Sequence, residues 1–182
     1  MNYSIDLVSS FGNLGKLMDC PISIESKFIN QGLKKLPVGL EALEIISFKF
    51  NEELKNLPVS LKKLVIYISL FNQKLDNLPV GLEVLEIRGI RFNQKLENLP
   101  VGLKVLKIDS NNFNQELNKL PESLEELIIN CKNFNFNQEL KNLPLSLKRL
   151  NIGKKYLDYY SLEEVFDMIP FGCELYVDGI KN

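Results

Sequence analysis

The sequence predicts a parallel-stranded solenoid, and three observations carry that reading. A phrase of 21 residues recurs six times as Phe-Asn-Gln-x-Leu-x-x-Leu-Pro-x-Gly/Ser-Leu-x-x-Leu-x-Ile. Its prolines, Pro37, Pro58, Pro79, Pro100, Pro121 and Pro144, stand at intervals of 21, 21, 21, 21 and 23 residues. Inside each copy the apolar positions hardly change: Phe71, Leu75, Leu78, Leu82, Leu85 and Ile87 in the third copy become Phe92, Leu96, Leu99, Leu103, Leu106 and Ile108 in the fourth. A fixed period of this length marks units that stack only on their neighbours.

Each part of the unit has its own physical reading. The Leu-x-Ile ending alternates in and out, as a short strand does, which predicts strands over 42–46, 63–67, 84–88, 105–109, 126–130 and 149–152. One strand per unit makes consecutive strands parallel and in register. The return path is too short for a regular helix of about 10 residues, so turns or short 3₁₀ segments are expected there, stiffened by the prolines. Gly39, Gly81 and Gly102 share one position with Ser60, Ser123 and Ser146, so a left-handed backbone is not compulsory at it. Asn30, Asn51, Asn72, Asn93, Asn114 and Asn137 follow the aromatic of each unit. Their stacked amides are expected to satisfy backbone groups of buried turns, as a structural ladder.

The ends depart from the phrase. Pro21-Ile22-Ser23-Ile24 aligns with a strand, and Ile29 replaces the phenylalanine. After Ile152, Ser161 and Glu164 form a capping box before a short helix. Leu162, Val165, Phe166 and Ile169 make its apolar face, which is expected to cover the open end of the core. Pro170 stops the helix, and residues 173–177 read as a last strand. The expected organisation is one solenoid domain over 1–182: an N-terminal cap or degenerate repeat at 1–28, six repeats at 29–152, and a C-terminal cap at 153–182.

Composition excludes several classes of function. A net charge of -1 and a pI near 5.7 disfavour general nucleic-acid binding. No run of about 20 apolar residues predicts a transmembrane helix, and the first 17 residues lack the pattern of a signal peptide. Cys20, Cys131 and Cys173 read as reduced thiols of a cytosolic or nuclear protein, and a cytoplasmic location is expected. Histidine is absent, which removes Ser-His-Asp and Cys-His catalysis and the common zinc sites. No nucleotide-binding glycine motif occurs. No catalytic residue, metal site or cofactor is therefore expected, and neither is a nucleic-acid or membrane partner.

Leu-x-x-Leu-x-Ile, followed by an apolar residue and then Leu-Pro, resembles the leucine-rich repeat. The Phe-Asn-Gln start is similar to the FNIP subclass, found in social amoebae and in giant viruses that infect amoebae. The resemblance covers about residues 29–152. It departs from the common pattern just before the apolar residue that follows the strand, where Phe48, Ser69, Ile90, Asn111 and Lys132 replace the usual asparagine. It implies short parallel strands on a concave face, a mostly irregular or 3₁₀ convex side, and binding of a protein partner. FNIP relatives often carry a further domain, such as an F-box, that links targets to ubiquitin ligation; 28 N-terminal residues are too few for one.

In such a solenoid the strand residues between the apolar ones face the concave side. The first exposed column, Glu41, Lys62, Glu83, Lys104, Glu125 and Lys148, alternates strictly in charge, which reads as a stacking ladder. Val65, Tyr67, Val84, Arg88, Val105, Lys107 and Ile128 make a mixed apolar and basic patch, the expected site for a protein partner. Glu41 with Glu83, and Glu44 with Glu86, approach the spacing of paired glycosidase carboxylates, but every exposed column of a solenoid produces such pairs. Phe134, in the two-residue insertion of the fifth unit, duplicates the phenylalanine of the phrase and reads as a local slip more readily than as a binding loop. A monomer that binds a protein is the leading expectation. A self-assembling scaffold, a ubiquitin-ligation adaptor and a carbohydrate-binding module are the alternatives; Tyr67 as the one concave aromatic counts against the last.

Overall fold

The computed structural model describes residues 3–4, 22–25, 36–48, 50–131, 140–158 and 160–182. Asn30, Asn137, Phe134, Cys20 and the insertion in the fifth unit lie outside them. Ten strands form one sheet in chain order: β1 (Tyr3–Ser4), β2 (Ile22–Glu25), β3 (Ala42–Ser47), β4 (Lys63–Ile68), β5 (Val84–Arg88), β6 (Val105–Asp109), β7 (Glu126–Asn130), β8 (Arg149–Ile152), β9 (Glu174–Val177) and β10 (Ile180–Lys181). All neighbours are parallel except β9 and β10. The six strands expected within the repeats fall where the Leu-x-Ile pattern put them. Equivalent residues pair across the sheet: Leu43 with Leu64, Leu64 with Leu85, and Leu85 with Leu106.

That register builds the core. Leu64, Ile66, Leu82, Leu85, Ile87, Leu103, Leu106 and Ile108 are wholly buried. Each therefore rests on a copy of itself. On the return path the phenylalanines stack in the same way. Phe50, Phe71, Phe92 and Phe113 form a continuous pile with centroids 6.5, 6.0 and 6.0 Å apart and planes within 9° of parallel. Offset stacking of this kind adds to the burial of each ring.

A proline-centred turn closes each unit. The amide three residues on donates to the proline carbonyl, as in Leu61 to Pro58 at 3.1 Å and Leu82 to Pro79 at 3.0 Å. Cys173 donates to Pro170 in the same way at 3.0 Å, so the last strand enters the sheet through the same turn as the repeats. Gly39 has φ of +92°, but Gly81 and Gly102 do not lie in the left-handed region. Where serine stands instead, its hydroxyl crosses to the preceding unit. Ser60 Oγ donates to the Leu40 carbonyl at 2.8 Å, Ser123 Oγ to Leu103 at 2.8 Å, and Ser146 Oγ to Leu124 at 2.7 Å. Gly89 answers a different constraint: a Cβ there would collide with the backbone oxygen of Ile68.

The asparagines join units at the surface rather than inside a buried turn. Asn51 Oδ1 accepts the backbone N–H of Asn72 at 2.8 Å, Asn72 Oδ1 that of Asn93 at 2.9 Å, and Asn93 Oδ1 that of Asn114 at 2.8 Å. The following glutamine adds a second donor to the same oxygen: Gln94 Nε2 reaches Asn72 Oδ1 at 3.0 Å and Gln115 Nε2 reaches Asn93 Oδ1 at 2.9 Å. Phenylalanine, asparagine and glutamine thus act as a core stack, an acceptor and a second donor. Asn51 and Asn72 are exposed, Asn93 and Asn114 half-buried.

The C-terminal end carries the expected helix and last strand, with less of the helix's apolar face buried than expected. The capping box is present on α1 (Leu162–Met168), with Ser161 and Glu164 exchanging both hydrogen bonds. Only Val165 is fully buried; Leu162 is 36% and Phe166 45% exposed. The helix has two turns; it sets Val165 in the core with Met168 and Ile169 packed beside it, and contacts the 3₁₀ segment Leu140–Asn142 of the return path. The sheet edge is met by β10, which folds back on β9 through Asp178 and Gly179, at φ of 49° and 82°. Asp-Gly is a strong two-residue hairpin signal, and an antiparallel strand turns the stacking direction off. Among the described residues no helix is long and apolar enough to cross a membrane.

Two substitutions test this architecture. Leu85→Ala, at a wholly buried position of the central unit, is expected to cost about 2–5 kcal/mol in urea unfolding; a loss under about 1 kcal/mol would mean that the site collapses or the inward register is wrong. Asn93→Ala removes an acceptor shared by two donors and is expected to cost about 1–2 kcal/mol. Asn93→Asp keeps the acceptor and should recover most of that; equal losses in both variants would show that the amide oxygen is not what joins the units.

Candidate functional site

The exposed positions of the strands form columns across the sheet. One runs Ala42, Lys63, Val84, Val105, Glu126, Arg149 and Glu174; the next runs Glu44, Val65, Glu86, Lys107, Ile128, Asn151 and Tyr176. A third holds Ile46, Tyr67, Arg88, Asp109 and Asn130. Of the sequence-predicted patch, Val84, Val105, Lys107, Ile128 and Tyr67 are half-buried and Arg88 is exposed. Val65 differs: at 6% exposure it is buried, standing in its column between the longer side chains Glu44 and Glu86. It offers a partner almost no surface.

Tyr176 is the residue that sequence reasoning missed. Its place opposite Asn151 puts a second aromatic on this face, so Tyr67 is not alone. The signal was available, because Leu175-Tyr176-Val177 repeats the Leu-x-Ile register.

Both tyrosines are held in the same kind of cluster. The Arg88 guanidinium lies 5.0 Å from the Tyr67 ring centroid, and Arg88 Nε is 2.6 Å from Glu86 Oε1. Burial and then the Glu86 charge push the Tyr67 phenol above its ordinary value. At the other end, Arg149 lies 4.4 Å from the Tyr176 ring centroid and donates to the Tyr176 hydroxyl at 3.0 Å. That hydroxyl donates to Glu174 at 3.0 Å. Between the clusters, Glu126 lies 3.7 Å from Lys107 and 3.8 Å from Arg149. Arg88, Lys107 and Arg149 therefore all sit against a carboxylate. The face carries an apolar centre of Val84, Val105 and Ile128 flanked by neutralised aromatic–arginine clusters, not a basic field. Neither ring is a bare platform, since a guanidinium lies over each. A shallow cleft of about 230 Å³, lined by Ser69, Arg88, Gly89, Ile90, Asp109 and Asn111, opens beside Arg88.

The alternating column at the start of the strands resolves into pairs. Lys62 reaches Glu41 at 3.0 Å, Lys104 reaches Glu83 at 2.8 Å, and Lys148 reaches Glu125 at 2.8 Å. Each lysine turns to the preceding unit. The hydrogen bond from Lys104, then its charge, holds the Glu83 carboxyl below the ordinary range, and Lys148 does the same for Glu125. Burial pushes the Cys131 thiol up to about 12, leaving it protonated and unreactive. Among the described residues no three histidine, cysteine, aspartate or glutamate side chains are grouped to hold a metal ion.

The carboxylate shifts set a pH dependence. A lowered folded-state pKa adds stability above the unfolded value and loses it as the pH falls through the folded one. The contribution of the Glu83 and Glu125 pairs should therefore be full at about pH 6 and smaller at about pH 3, as the carboxyls take up protons. Being exposed, it should also shrink in high salt. Urea midpoints at both pH values test this: Glu83→Gln/Glu125→Gln should narrow the difference, and an unchanged difference would show that these pairs contribute nothing.

Residues 92–132 match the family described as FNIP Repeat. The fold is that of a leucine-rich-repeat protein. It is similar to the crystal structure of CroV588, a giant-virus protein described as a novel circular LRR protein structure, with a TM-score of 0.69 and 31% sequence identity over 88% of this chain and 24% of that one. The chain thus spans about a quarter of the length of that relative. No curated protein matches the sequence.

Proposed function

We propose that this chain is a non-enzymatic protein-interaction module that binds a protein partner through its concave sheet face. The leucine-rich-repeat fold generally mediates protein interactions, which supports the class. The observation that carries the choice of face is the apolar centre Val84, Val105 and Ile128 between the Tyr67–Arg88 and Tyr176–Arg149 clusters. Tyrosine and arginine anchors around a desolvated centre are what protein interfaces use most. The contact set is Tyr67, Val84, Arg88, Val105, Lys107 and Ile128, extended by Tyr176, with Val65 supporting from beneath. The location proposed is the cytoplasm, of an amoebal host in the setting that the FNIP resemblance implies.

The carbohydrate alternative loses force because guanidinium groups lie over both tyrosine rings. A sugar would have to displace them to stack.

The test is a pull-down from amoebal lysate with wild type beside Tyr67→Ala/Arg88→Glu/Lys107→Glu, after circular dichroism shows both folded. A protein captured by wild type alone supports the concave site. Equal capture by both would move the site to another surface.

A further inference from the structure

The edge at which the strands begin carries a row of bare apolar side chains. Val38, Val59, Val80, Val101 and Leu145 each follow the proline of their unit and are between 81% and 103% exposed. Parallel strands lie about 4.8 Å apart, so successive members form one continuous ridge. Single proteins rarely leave a contiguous apolar patch uncovered unless something docks on it. The fifth unit breaks the row with Glu122, and Phe171, which follows Pro170, extends it beyond the sixth unit at 108% exposure. Three residues further along each unit stands the paired charge column, Glu41, Lys62, Glu83, Lys104, Glu125 and Lys148.

We infer that this edge binds a second copy of the chain, related by a two-fold axis that passes between the third and fourth units. The sequence alone led to the expectation of a monomer; the ridge and its charges lead to a dimer. A two-fold interface is self-complementary, so each unit must face its counterpart in reverse order. Six units alternating in charge meet that requirement. Glu41 of the first unit faces Lys148 of the sixth, Lys62 of the second faces Glu125 of the fifth, and Glu83 of the third faces Lys104 of the fourth. Glu122, the one interruption of the ridge, faces the unit that carries Lys62. At the axis Val80 meets Val101, and in the outermost facing units Val38 meets Leu145, with Phe171 beyond the overlap. An axis through the middle of any unit would oppose like charges, which a covered interface disfavours. Only the axis between units three and four overlaps all six. Each glutamate of the column, Glu41, Glu83 and Glu125, already holds a lysine of its own chain at 2.8–3.0 Å, so covering the edge leaves none of these three charges alone away from water.

The ridge and its charge column share no residue with the contact set proposed for the concave face, and the experiment keeps the two apart. Sedimentation velocity over a concentration series up to high micromolar should show a monomer–dimer equilibrium. Val80→Glu/Val101→Glu, at positions exposed in the folded chain, should abolish it with circular dichroism unchanged. Glu83→Lys alone should weaken the dimer by roughly tenfold or more, and Glu83→Lys/Lys104→Glu should restore it. Chains bearing Val80→Cys, mixed with chains bearing Val101→Cys, should form the mixed disulfide in preference to either like pair. The concave triple variant should dimerise as wild type does. A monomer at every concentration, a dimer indifferent to the ridge variant, or a preference for the Val80→Cys like pair would overturn the proposal.

Discussion

The repeats depend on one constraint: each residue lies beside its equivalent in the next unit, 21 positions away from β3 to β7 and 23 from β7 to β8. A parallel, in-register sheet makes every column a stack of equivalents. A position can therefore be used only by a side chain that tolerates its own kind as a neighbour. Leucine, isoleucine and phenylalanine do so through burial and ring stacking. Asparagine does so by a different route, since its oxygen accepts from the next unit's backbone instead of from the next amide. Charge does not tolerate itself, and the column beginning at Glu41 has to alternate.

The same constraint explains why the ends are where regularity stops. A stack offers an unpaired strand edge to the next unit, and an edge left open invites further chains. After β9 the chain reverses through Asp178 and Gly179 and lays β10 antiparallel along that edge. Asn151 Oδ1 accepts the Gly179 N–H at 3.1 Å, and Asp178 Oδ1 accepts that of Lys154 at 3.0 Å, tying the hairpin to the unit before it. The helix α1 replaces a return path, anchored by Val165, and leaves Phe166 half in solvent.

Two surfaces stand in opposite relation to the repetition. On the concave face the columns are irregular: valine, glutamate, lysine and tyrosine succeed one another without a rule. That irregularity is where a specific contact surface has room to be written. The edge is the opposite case, a regular apolar ridge beside a regular alternation of charge. Regularity there is useful to a partner with the same period, which is another copy of the chain.

The period of 21, the six repeat strands, the inward leucines and the capping box of α1 were legible in the sequence because each rests on spacing and local propensity within one unit. The structure alone decided which neighbour each charge would take. Lys104 has a glutamate on both sides, and only packing selects Glu83. It also decided that Val65 is covered, that Arg88 and Arg149 lie over tyrosine rings, and that the asparagines work at the surface. The physical reason is the same in each case. Periodicity says which side a residue faces, but long flexible side chains settle against neighbours brought together by stacking, and those are 19 to 27 residues away in the chain.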